Sequence, residues 1–162
     1  MHIKARLEKP WEALFVFHML AVPGGGAGPA PMGQLAALIA RNAGDRLDFG
    51  KTLAMGKRNA PFQIAGRFVA PNDGQDLLTA WNAPDGDMTW MCFYPNHGIA
   101  VVNEGQMDWC ANICFQCANA AVTGPSATLR TATPNRLLPD SPDLRDRLMA
   151  HLPERPFPLH EM

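Results

Sequence analysis

Apolar and polar positions alternate at Phe62, Ile64, Gly66 and Phe68 against Gln63, Ala65 and Arg67, and this period of two predicts a half-buried strand ended by Pro71. Helical spacing takes over on either side. Leu35, Leu38 and Ile39 recur at i, i+3 and i+4, which predicts a helix from Gln34 to Asn42 with Gly44 as its stop. A second helix is expected with Asp73 as N-cap, Leu77, Leu78 and Trp81 as the apolar stripe, and Asn82 to Pro84 as its end. A third has Ser141 as cap, Pro142 at the first helical position and Leu144, Leu148 and Leu152 on one face, until Pro153 stops it. Asp143 and Arg147 stand at i, i+4 in that helix, a pairing worth a few tenths of a kcal/mol. Residues 45–60 carry no pattern that assigns them.

Three strands are expected between the second and third helices: Thr89 to Tyr94, His97 to Val102, and Met107 to about Cys117. Pro95 and Asn96 join the first two, which puts Cys92 and His97 on one face. The turn at Asn103, Glu104 and Gly105 has two readings, and the choice inverts every side chain of the third strand. A two-residue loop of Glu104 and Gly105 puts Cys110 and Cys114 on the His97 face. A three-residue turn with a Gly105 bulge puts Trp109, Ala111, Ile113 and Cys117 there instead. The second grouping gathers Trp90, Ile99, Val101, Trp109, Ile113 and Phe115 on one side, and burial favours it.

The N-terminal segment has two readings. Lys4, Arg6 and Lys9 precede an apolar run from Ala13 to Val22, and small residues around Gly25 and Ala27 follow, which is the layout of a secretory signal cut after Ala27. The other reading is a buried helix, because Trp11, Leu14, Phe15, His18, Met19 and Val22 fit helical spacing. The run falls short of the roughly 18 apolar residues of a membrane span. Location follows from this choice: periplasmic or secreted with a signal, cytoplasmic without one.

The 162 residues fit one domain, with 47% hydrophobic and 18% charged residues placing the chain among globular proteins. The net charge of −1 and the scattered Lys and Arg leave no footprint for nucleic acid. Pro (15) and Gly (14) are frequent enough that much of the chain must be turns and irregular connections. Phosphate-cradling and dinucleotide motifs are missing, as is a zinc-protease helix. A protein partner is compatible with all of this.

All four cysteines fall in one stretch, at Cys92, Cys110, Cys114 and Cys117, with His97 among them. Thiolate and imidazole are the ligands that hold tetrahedral zinc, and Cys92, His97, Cys114 and Cys117 are the expected set. Either hairpin register brings Cys114 and Cys117 near His97. A straight strand points Cys114 and Cys117 to opposite faces, so co-ligation requires a bend. In an oxidising compartment the same Cys114/Cys117 pair forms a structural or redox-active disulfide instead. A cysteine nucleophile, Cys114 or Cys117 activated by His97 with Asn112 or Asn119 orienting the ring, is the third chemistry this stretch allows.

The segment from Cys92 through Phe93, Pro95, His97 and Gly98, followed by Ile113, Cys114, Phe115 and Cys117, resembles an uncharacterised bacterial protein family with a C-F-x-P-R-H-G segment and then I-C-F-x-C. Asn96 stands where that family has Arg. The resemblance covers Cys92, His97, Cys114 and Cys117 and leaves out Cys110; it implies grouping, not activity.

The expected architecture is an α+β fold, a small antiparallel β-meander packed against two or three helices. Residues 1–27 are the signal segment or N-terminal helix, 28–152 the domain, and 153–162 a loose tail. The expected function is that of a small protein holding a structural zinc ion, without catalytic residues.

Overall fold

In the computed structural model the strand Ala13–Ala21 (β1) runs through the middle of a seven-stranded antiparallel sheet. The structure describes residues 11–21, 32–43, 47–56, 62–81, 96–115, 118–123, 136–137 and 142–152. After β1 come helix Met32–Asn42 (α1), strands Leu53–Met55 (β2) and Phe62–Val69 (β3), and helix Pro71–Trp81 (α2). Strands His97–Asn103 (β4), Gln106–Cys114 (β5), Asn119–Thr123 (β6) and Arg136–Leu137 (β7) follow, and helix Pro142–His151 (α3) is last. The strand order is β2-β3-β1-β4-β5-β6-β7, with every neighbouring pair antiparallel. The fold is α+β as expected.

The N-terminal run is neither a helix nor a segment apart from the domain. Ala13, Leu14, Phe15, Val16 and Phe17 are all fully buried, because the sheet is covered on both faces and each face needs apolar side chains. A run that is apolar at nearly every position fits a helical period and a strand equally well, so spacing alone could not choose. β1 pairs with β3 from Leu14 to Ala21 and with β4 from Ala13 to His18. A domain starting at residue 28 would lack the strand that joins the two halves of its sheet.

Two cores result, one on each face. Leu14, Val16, Ile99, Val101 and Trp109 pack with Leu77, Leu78 and Trp81 of α2 and Leu144 and Leu148 of α3. On the reverse face Phe15, Phe17, Phe68, Ala100 and Cys110 pack with Leu35, Leu38 and Ile39 of α1. This second layer explains why β3, read as half-buried, keeps Gln63, Ile64, Ala65 and Gly66 all inside.

The predicted meander is present in part. β4, β5, β6 and β7 follow one another across the sheet, but β1 and β5 occupy both edges of β4. The expected hairpin between residues 89–94 and β4 therefore has no free edge to use over the β1 ladder. Residues 89–94 lie outside the described residues.

At the β4–β5 turn the loop is two residues long, with Glu104 and Gly105 at φ 50° and 72°. Such a turn needs positive φ at both positions, which glycine adopts freely. The Glu12 carboxylate supports it by accepting a hydrogen bond from Gly105 N at 2.9 Å. One residue later a bulge shifts the register: Val102 pairs with Met107 but Val101 with Trp109, leaving Asp108 extra. The two-residue reading was thus right about the loop, and the bulge delivers the face grouping of the other reading.

The helices begin and end near their predicted limits. α2 starts three residues early, at Pro71, with the Ala70 carbonyl accepting from Asp73 N and Gly74 N, so Asp73 sits in the first turn rather than at the cap. Arg147 reaches across to Asp76 on α2 at 2.7 Å. From β3, Arg67 donates to the carbonyls of His151 and Ala150 at the C-terminus of α3.

Candidate functional site: a histidine pair on the sheet

One row of residues crosses five strands on the face that carries α2 and α3: Ala65, His18, His97, Ile113 and Ala120. The row puts two imidazoles side by side on β1 and β4. Met19 N donates to Asn96 O at 2.8 Å, which makes His18 and His97 a non-hydrogen-bonded pair, the kind whose side chains approach most closely. Their ring centroids are 5.4 Å apart, and the Phe115 ring lies 5.4 Å from His97. Both histidines are 6% exposed, as is Gln63, which sits on the same face two residues from Ala65. Three buried polar side chains, His18, His97 and Gln63, therefore share this part of the face.

Of the expected zinc ligands, the structure describes His97 and Cys114. His97 stands opposite Ile113, so Cys114, the next residue along β5, faces the other side of the sheet. Cys114 is buried there together with Asn112 and Cys110. The same register removes the pairing of Cys114 with His97, and of Asn112 with His97, that a cysteine nucleophile needs. Cys92 and Cys117 lie outside the described residues, as does the bend that co-ligation by Cys114 and Cys117 requires. Among the described residues no group of three or more His, Cys, Asp or Glu side chains converges.

Cys110, outside the expected set, is part of the α1 core. Complete burial pushes its thiol well above the ordinary range, because a thiolate there would lose its hydration. It is chemically quiet for the same reason.

A groove of about 440 Å³ lies farther along β3, beside α2 and the end of α3, lined by Phe49, Arg67, Asp73, Asp76 and His151 among others. Its polar groups hold helices in place. Arg67 serves the end of α3, and Asp76 takes Arg147.

His18 is the residue that sequence reasoning passed over. A histidine inside an apolar run signals a buried polar group, but its partner appears only once the β1–β4 register is known. Comparison with family models and curated proteins finds no match to the sequence, and comparison with solved structures finds none to the fold. Among the described residues no helix is long and apolar enough to cross a membrane.

Proposed function

We propose that this protein binds zinc, that the ion is structural, and that the chain performs no catalysis of its own. The observation that carries the reading is His97, an imidazole only 6% exposed on a sheet face, bracketed in sequence by Cys92 and Cys117. Neutral imidazole and cysteine thiolates are the donors that tetrahedral zinc takes, and metal binding to such a set is coupled to folding. Cys92 stands five residues before His97, and Cys117 two residues after Phe115, whose ring packs on His97. These three residues are the core of the proposed ligand set. Cys114, on the reverse face, is dropped from it.

Elemental analysis of the natively purified chain together with a thiol count tests the reading. About one zinc per chain, lost when His97 is replaced by Ala, is the expected result. Absence of metal with all 4 cysteines as free thiols overturns it. Absence of metal with oxidised cysteines favours the alternative, an exported protein whose Cys114 and Cys117 form a disulfide.

A further inference from the structure

We infer that His18 and His97 chelate one divalent transition-metal ion between β1 and β4, with His18 taking the position that the sequence pattern gave to Cys114. This deepens the zinc-binding reading and rests on it. Zinc–nitrogen bonds are about 2.0–2.1 Å, so two imidazoles bound at a tetrahedral angle have ring centres about 5 Å apart once each ring radius is added. The observed separation is 5.4 Å, in the cross-strand pair type with the shortest side-chain reach.

The surroundings suit a fixed chelate. Ala65 and Ile113 flank the pair in its row, both fully buried, and Phe115 closes on His97 from the β5 side. Apolar walls of this kind exclude water and hold the rings to few rotamers. Imidazole donors suit zinc, copper, nickel and cobalt over magnesium or calcium, which take oxygen ligands. The alternative is two neutral rings packed as aromatic neighbours, with no ion between them. The centroid separation of 5.4 Å fits both arrangements, and uptake of the ion decides between them.

The test uses the full chain loaded with zinc and, separately, with cobalt(II). X-ray absorption of the wild-type zinc form should show multiple scattering from two imidazoles. His18→Gln should lower zinc affinity by more than about a hundredfold, since even groups one shell away cost 10–100-fold. Cys114→Ser should leave affinity and the cobalt spectrum unchanged. His18→Phe preserves ring packing and should bind as poorly as His18→Gln, which separates loss of a ligand from loss of fold. One imidazole in the wild-type spectrum, or full affinity in both His18 variants, overturns the inference while leaving zinc binding in place. A wild-type chain that takes up neither ion overturns both.

Discussion

The imidazole of His18 lies directly across the β1–β4 ladder from that of His97, with ring centroids 5.4 Å apart. The pair sits where the β2-β3-β1 half of the sheet meets the β4-to-β7 half. An ion held there ties the halves together, so zinc should stabilise the whole fold. At a free concentration 100 times its dissociation constant, a ligand specific for the native state adds about 2.7 kcal/mol. For a domain of this size that raises the melting temperature by roughly 5–10 °C. Thermal scans with zinc and with chelator should differ by that amount in the wild type and coincide in His97→Ala.

Removal of residues 1–27 should abolish folding. The cut takes away β1, whose two ladders hold β3 and β4, and with it the buried side chains of Leu14, Phe15, Val16 and Phe17. Each such apolar side chain contributes about 1.5–3 kcal/mol, so the loss is comparable to the entire stability of an ordinary domain. The truncated chain should lack the dispersed amide spectrum of a folded protein. A stable, cooperatively melting fragment would show that β1 is dispensable.

Gly98 should tolerate no side chain while Phe17 is present. A Cβ built on Gly98 falls 2.0 Å from Phe17 Cζ, because the ring lies over the glycine from the neighbouring strand. Overpacking of this kind costs about 1–3 kcal/mol. Gly98→Ala should lose that much by chemical denaturation, and less in a Phe17→Leu background, where the ring is gone. An additive double-mutant cycle would falsify the contact as the cause.

The helices and the β3 strand were legible because their signals are local. Leu144, Leu148 and Leu152 repeat within one helix, and Pro142 and Pro153 mark its limits without help from the rest of the chain. β1 was illegible because burial on two faces erases the alternation that identifies a strand, and Leu14 to Phe17 then satisfy any period. The candidate site failed for a related reason. His97 stood out through its neighbouring cysteines, but the face of Cys114 depended on a bulge at Asp108, and His18 depended on a pairing between residues far apart in sequence. Register across strands is set by the whole sheet, and no short motif encodes it.

The two arginines on the α2–α3 side should differ in value. Arg147 and Asp76 are 42% and 53% exposed, and such pairs contribute about 1 kcal/mol or less. Arg67 is half-buried and satisfies carbonyls at the end of α3 that would otherwise lack partners. Hydrogen bonds to a charged group are worth about 1.5–3 kcal/mol. Arg67→Ala should therefore destabilise the chain more than Arg147→Ala in denaturant titration, and equal losses would refute the capping role.

Cys110 should make stability fall at alkaline pH. Its thiol is neutral below the unfolded value of about 8.5 in both states, so it has no effect there. Above that value the unfolded chain releases the proton while burial keeps the folded thiol protonated, because its own titration is pushed far higher. The native state then binds more protons than the unfolded one, and unfolding free energy declines by up to about 1.4 kcal/mol per pH unit. Cys110→Ala removes the group and should flatten the difference between pH 8 and pH 10 relative to wild type. The thiol should also resist alkylation at pH 8 until denaturant is added. Rapid labelling of Cys110 in the native chain, or parallel pH profiles for the two proteins, would place the sulfur at an accessible surface and contradict its place among Leu35, Leu38 and Ile39.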